Sequence, residues 1–205
     1  MSEQVELTDP VEHSVGGFNG HLFRRLFHLS MSLIPLIYFE YGEKIADSVN
    51  LEEVQIVSGL TLSLILIEAL RLKIGFTIFG QRDYEANQVS ALAWGGIAIG
   101  ISFIVLPDNP EYLWPLILSL SLGDPFLGEL RRKGLESKQV AIYGSIFIAV
   151  IWLISWNRLE TPAILALLMG PITVASEWPR LRWIDDNATM LLIPLFTILL
   201  LMPWL

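Results

Sequence analysis

Long apolar stretches separated by short polar segments recur along the whole chain, at residues 24–41, 54–72, 88–106, 112–130, 139–156, 161–177 and 188–204. Each is close to the roughly 20 mainly apolar residues that a helix needs to cross a bilayer. The apolar stretches, such as residues 57–67, lack the strict alternation with polar residues that the strands of a membrane barrel show. The pattern therefore predicts an all-α, polytopic membrane helical bundle with about seven transmembrane helices.

The predicted helices take up most of the chain, so we expect a single transmembrane helical domain over residues 21–205. Residues 1–20 are polar and acidic, and they lack the basic and then apolar pattern of a secretory signal. We expect this segment to form a cytoplasmic N-terminal tail.

Composition agrees with the pattern and excludes several classes of protein. Of the 205 residues, 53% are hydrophobic and 17% are charged, whereas soluble domains carry about 25% charged residues. The absence of cysteine excludes disulfides, cysteine-bound zinc and iron–sulfur clusters. The net charge of −8 argues against nucleic acid as a partner.

The fourth apolar stretch is interrupted by Gly123-Asp124-Pro125, where we expect the helix to break, and a re-entrant segment would look similar. Charge bias favours seven spans, because one side then carries eleven basic residues against two, Lys44 and Arg158, and dropping the fourth span removes the bias. The eleven are Arg24, Arg25, Arg71, Lys73, Arg82, Arg131, Arg132, Lys133, Lys138, Arg180 and Arg182. We therefore expect a multi-pass protein of a prokaryotic cell membrane, with the N-terminus in the cytoplasm and the C-terminus outside.

Ionisable residues near the predicted spans gather at the cytoplasmic ends, although each costs about 2.5–3.5 kcal/mol inside a membrane. A one-sided cluster fits a lipid-modifying enzyme better than a transporter, whose polar groups lie near the bilayer midplane. His28 lies four and three residues after Arg24 and Arg25 on one helix, and the three side chains suggest a phosphate clamp; snorkelling side chains are the alternative. Glu68 and Arg71 are expected to form a structural ion pair.

Two further groups suggest binding of a metal and a nucleotide. Asp124 precedes the basic run Arg131, Arg132, Lys133 and Lys138, as a metal–triphosphate site requires; a polar hinge followed by cytoplasmic anchors is the alternative. Asp185, Asp186 and Asn187 open the last span, with Glu177 across a short loop. A helix cap explains one of these acids, and the pair suggests a second wall of the metal site.

These residues, in this order, resemble the polyprenol kinase family, which includes dolichol and phytol kinases and is distantly related to phosphatidate cytidylyltransferases. The resemblance rests on Arg24-Arg25-x-x-His28, Glu68-Ala-Leu-Arg71, Arg82, Glu85, Gly123-Asp124-Pro125, Glu177 and Asp185-Asp186-Asn187. It implies phosphoryl transfer from a nucleotide, usually CTP, to the hydroxyl of a long isoprenoid alcohol at the cytoplasmic face. Leu127 stands where the family has alanine, and its lysine stretch is reduced to Lys138, so the choice between CTP and ATP stays open.

We therefore expect Mg²⁺ or Mn²⁺ to be held by Asp124, Glu177, Asp185 and Asp186. The residues expected to bind the nucleotide are Arg24, Arg25, Arg131, Arg132, Lys133, Lys138 and Asn187. Asp124, Asp186 and His28 are expected to be catalytic, and each of them is a possible general base. Small residues of the third span, including Gly96 and Gly100, are expected to form one wall of a groove for the isoprenoid tail, although close helix packing explains them equally.

The same residues are compatible with two other functions. A cytidylyltransferase that makes a CDP-activated lipid would use similar groups, and it would release pyrophosphate rather than CDP. A non-catalytic lipid carrier or transporter would need neither nucleotide nor metal. A CDP-alcohol phosphotransferase is excluded, because its Asp-Gly-x-x-Ala-Arg pattern is missing.

Overall fold

A computed structural model describes residues 11, 13–179, 181 and 183–205, and all regular structure in this part of the chain is helical. The α-helices are α1 (Gly17–Ser30), α2 (Ile34–Ser48), α3 (Glu53–Ile74), α4 (Ala91–Val105), α5 (Pro110–Arg132), α6 (Ser137–Leu159), α7 (Ala163–Glu177) and α8 (Asp186–Leu201). Because α1 runs into α2 through the 3₁₀ turn Met31–Leu33, the eight helices form seven segments, which overlap the seven predicted stretches. The predicted all-α fold is confirmed.

Within the described residues, four helical segments are long and apolar enough to cross a membrane: Gly17–Ser48, Glu53–Ile74, Ser137–Leu159 and Asp186–Trp204. Ala91–Val105 and Ala163–Glu177 are apolar but shorter. The long apolar segments indicate a membrane protein.

Helix α3 has the opposite burial pattern from a helix of a water-soluble protein. Its only buried residues are Glu68 and Arg71, while apolar side chains such as Leu60 and Leu66 are more than 60% exposed. Large exposed apolar surfaces are rare on proteins surrounded by water. This outer surface of α3 therefore suits contact with lipid.

The core lies around α5 and α8. Helix α5 packs against α6 and α8, α8 also packs against α4 and α7, and α1 and α2 lie against α5. Leu116 and Leu120 of α5, Trp152 of α6 and Leu191 of α8 are fully buried there. This arrangement brings the ends of α5, α7 and α8 together at one end of the bundle.

Helix α5 is continuous through Gly123-Asp124-Pro125, so the predicted break is wrong. At this point α5 packs closely against α6, since a Cβ on Gly123 would lie only 3.3 Å from Ile148. Earlier in α5, Pro115 lacks the N–H that would bond the carbonyl of Glu111. That carbonyl instead accepts hydrogen bonds from Thr161 (2.8 Å) and Ser155 (3.3 Å).

Two glycines allow α6 to approach its neighbours closely. A Cβ on Gly144 would clash with Leu127 of α5, and one on Gly170 would lie 2.5 Å from the carbonyl oxygen of Ser145. Small residues at such points let helix backbones meet, which is the usual basis of helix association in membranes.

The buried Glu68–Arg71 pair holds the segment between α3 and α4. Arg71 donates two hydrogen bonds to Glu68 (2.9 and 2.8 Å) and others to the carbonyls of Phe76 and Gln88. Glu68 also accepts from the backbone N–H of Ser90 at 2.6 Å. The predicted structural ion pair is confirmed.

Part of the predicted N-terminal tail is packed on this same segment. Val15 donates from its backbone to the carbonyl of Gln81 (2.8 Å), and Gly80 donates back to Val15 (3.0 Å). Helix α1 begins at Gly17, before the predicted boundary at residue 20. Residues 1–10 and 12 lie outside the described residues.

Candidate functional site

Three carboxylates from three helices meet at one end of the bundle. Asp124 lies on α5, Glu177 is the last residue of α7, and Asp186 is the first residue of α8. One oxygen of each lies within 4.8 Å of the other two. We call these three residues the acidic cluster. Asp124 and Asp186 therefore lie close together, as the sequence predicts. Carboxylate oxygens are the type of ligand that suits Mg²⁺.

Arg131 contacts the acidic cluster through Glu177. Its guanidinium donates from both Nη1 and Nη2 to the two oxygens of Glu177, with the first bond at 2.6 Å. Asp124 and Arg131 are seven residues apart on α5, so they lie on the same face two turns apart. The Glu177 side chain is 2% exposed and that of Arg131 is 46% exposed. One charge of the cluster is thus neutralised by a group that reaches solvent.

His28 borders the acidic cluster from the α1 side. Asn187 donates from Nδ2 to the carbonyl of Ala91 (3.1 Å), which orients its Oδ1 toward His28 Nε2 at 3.0 Å. An amide oxygen only accepts, so Nε2 carries the proton. In the neutral ring the unprotonated Nδ1 therefore faces Asp124, whose Oδ2 lies 3.5 Å away, too far for a good hydrogen bond. Nδ1 is buried and has no hydrogen-bond partner among the described residues.

Asp185 does not belong to the acidic cluster, although the sequence predicts it as a metal ligand. It is the N-cap of α8, and its Oδ1 accepts from the backbone N–H of Asn187 at 3.1 Å. Burial and the neighbouring Asp186 carboxylate raise the pKa of Asp185 well above its usual value. Capping explains Asp185, and Asp186 alone of the pair faces the other acids.

The two arginines of the predicted phosphate clamp bind different carboxylates. Arg24 donates to Glu85 (2.8 Å) in the segment before α4, whereas Arg25 donates to Glu129 (3.1 Å) on α5. Arg132 also donates to Glu129, at 2.6 Å from Nη2. The pair is therefore divided between two walls of the site, and a joint clamp would require these ion pairs to open.

The remaining predicted nucleotide-binding residues differ in how exposed their side chains are. Lys133 and Lys138 are exposed beyond the end of α5, and their role stays a prediction. Asn187 is 2% exposed and is bonded to His28 and Ala91. These two bonds occupy its side-chain amide, and its nucleotide-binding role stays a prediction. Arg180 and Arg182 lie outside the described residues.

Two cavities lie near this end of the bundle and along it. The smaller, of about 170 Å³, is lined by Phe23, Arg24, Phe27, His28, Ile78, Phe79, Gly80, Gln81, Ala91, Leu92 and Asn187. The larger, of about 350 Å³, is almost entirely apolar and lies between α2, α3 and α4. Gly96 and Gly100 line it, as the groove prediction requires, and they also pack against Leu64 and Thr61 of α3.

Sequence reasoning missed one contributor to this region, Gln81. Gln81 lies in a connecting segment without a motif, so it gives no signal in one sequence. No protein-family model, curated protein or solved structure matches this chain.

Proposed function

We propose that the protein is a kinase that transfers the terminal phosphoryl group of a nucleoside triphosphate, CTP or ATP, to the hydroxyl of an isoprenoid alcohol held in the membrane. The observation that carries the proposal is the acidic cluster. Carboxylates from three helices converge beside Arg131 at the end of an otherwise apolar bundle. Phosphoryl transfer depends on positioning and on neutralising phosphate charge, which such an arrangement suits.

The residues of the acidic cluster fit Mg²⁺, and Asp124, Glu177 and Asp186 would hold it. When bound, the ion neutralises part of the triphosphate charge. Arg131 is exposed enough to pair with phosphate oxygens in place of Glu177. Lys133 and Lys138 would extend this basic surface toward the nucleotide.

His28 is the proton acceptor that we propose among the three possible bases. Asn187 holds its Nε2–H, which leaves the Nδ1 lone pair free to accept a proton. The alcohol oxygen forms a bond to the γ-phosphorus, and the bond from that phosphorus to its bridging oxygen breaks. The hydroxyl proton passes to Nδ1, and a nucleoside diphosphate leaves.

We also propose that all seven helical segments cross the cell membrane, with the N-terminus and the acidic cluster on the cytoplasmic side. Eleven basic residues against two support this orientation. The nucleotide is then available on the side where the cluster opens.

The test uses the purified full chain in lipid nanodiscs with Mg²⁺, CTP or ATP, and a series of prenols of increasing length. We expect a phosphorylated prenol and a nucleoside diphosphate in equal amounts. Formation of pyrophosphate and a CDP-lipid would instead indicate a cytidylyltransferase. The absence of any phosphorylated prenol with either nucleotide would refute the kinase proposal.

A further inference from the structure

The smaller cavity is lined by Gln81, whose buried side-chain N–H donor has no acceptor in the part of the chain that the structure describes. Gln81 is 4% exposed, and its Oε1 accepts from the backbone N–H of Ile78 at 2.8 Å. Because a backbone N–H can only donate, this bond fixes which side of the amide is oxygen. Nε2 therefore faces the other way, and it has no partner among the described residues.

A buried N–H without an acceptor is destabilising, and native proteins leave few of them. Gln81 lines the cavity together with Arg24, which pairs with Glu85, and with His28. An oxygen atom brought by a ligand would satisfy Nε2 and would lie in the same cavity as the imidazole.

The rest of this cavity is apolar and suits a hydrocarbon chain. Phe23, Phe27, Phe79 and Leu92 line it. Its volume of about 170 Å³ is close to the roughly 150 Å³ of an apolar protein cavity that binds benzene. It therefore has room for about one five-carbon isoprene unit and its hydroxyl group.

The two cavities follow one face of α4. Leu92 lines the smaller cavity, and Gly96, Ile99 and Phe103 line the larger one. Spacings of four, three and four residues place these positions on the same side of a helix. Phe27 and Ile34, seven residues apart on the continuous α1–α2 segment, likewise line the smaller and the larger cavity.

We propose, on the basis of the kinase function above, that the smaller cavity binds the hydroxyl end of the lipid alcohol, with Gln81 Nε2 donating to the hydroxyl oxygen and His28 beside it. The following isoprene units extend along α4 into the larger cavity. Gln81 is then a residue that selects for an oxygen at the chain end.

Binding is measured without nucleotide or metal, so that it does not depend on catalysis. The full chain in nanodiscs is titrated with geranylgeraniol and with the matching hydrocarbon that lacks the hydroxyl. Gln81→Glu keeps the acceptor for the Ile78 N–H and loses the two donors, and Gln81→Met removes both. Gln88→Met, in the same segment but outside the cavity lining, is the control.

We expect the wild type to bind the alcohol about tenfold more tightly than the hydrocarbon, which is the effect of one neutral hydrogen bond. Both Gln81 variants should lose this preference, and Gln88→Met should retain it. Equal binding of the two ligands by the wild type, or an unchanged preference in Gln81→Glu, would overturn the assignment.

A photoreactive prenol with a diazirine on its first isoprene unit gives a second measurement that needs no variant. We expect labelling of Phe23, Phe27 or Phe79, and labelling confined to the larger cavity would contradict the proposed orientation. If the protein phosphorylates prenols but the label lies elsewhere, the proposed binding of the hydroxyl end is wrong and the kinase function stands. If these rings are labelled but the protein has no kinase activity, the kinase function is wrong and the binding site stands.

Discussion

His28 and Asn187 are 159 positions apart in the chain and share a buried hydrogen bond of 3.0 Å between Nε2 and Oδ1. Asn187 is itself held by its bond to the carbonyl of Ala91. The consequence is a histidine with one assigned tautomer, whose other nitrogen is turned toward Asp124.

If His28 is the proton acceptor, then Asn187→Leu should lower kcat by about 10²-fold, because general-base catalysis contributes about 10² to 10⁴-fold. The KM for the nucleotide should change little. His28→Gln should lower kcat at least as much, and the double variant should be no slower than His28→Gln alone. His21→Gln, on the same helix, is the control. If the reduction in kcat of the double variant equals the product of the two single reductions, Asn187 does not act through His28.

Asp124→Asn should lower kcat by about 10³-fold, since it removes a charge from the proposed metal site. The amide is nearly the same size, so the thermal unfolding midpoint should stay close to that of the wild type. Asp108→Asn, an exposed acid at the other end of the bundle, should retain full activity. A folded Asp124→Asn protein with wild-type turnover would remove Asp124 from the site.

Glu68→Gln should destabilise the protein by about 3–5 kcal/mol, because it leaves the Arg71 guanidinium buried without its counter-charge. Glu68→Met combined with Arg71→Met should recover much of this loss. Arg132→Gln removes a partner whose side chain is 65% exposed, and should cost far less than Glu68→Gln because solvent screens the pair. Denaturant unfolding in detergent measures all of these variants. A small effect of Glu68→Gln would mean that the pair is hydrated.

The proposed orientation can be tested directly because the chain contains no cysteine. Single cysteines in place of Asp108 and Glu160 should react with a membrane-impermeant maleimide added to intact cells. A cysteine in place of Lys133 should react only after the cells are opened. The reverse pattern would place the acidic cluster outside the cytoplasm and exclude an intracellular nucleotide as its ligand.

Periodicity and charge were sufficient to predict the helices and the meeting of acids at one end. The apolar stretches are long, and Asp124, Glu177 and Asp186 all lie toward the same predicted side of the membrane. The break at Gly123 was mispredicted, because local propensities of glycine and proline ignore the packing of α5 against Ile148.

Partner choice among the charged residues could not be predicted from the sequence. Arg24 and Arg25 are adjacent, yet one reaches Glu85 and the other Glu129. The acid with which each arginine pairs depends on how the helices pack, and helix packing cannot be deduced from a single sequence. The position of Gln81 could not be predicted for the same reason, because its burial beside a cavity results from the packing of the chain.

The contact at Gly170 links the interior of the bundle to its chemistry. Glu177 lies seven residues farther along α7, about 10 Å along the helix axis. A methyl group at position 170 would push α7 away from Ser145 of α6, and this displacement would shift the position of the Glu177 carboxylate relative to Asp124 and Asp186. A substitution at Gly170, which touches none of the three carboxylates, should therefore weaken whatever ligand they bind together.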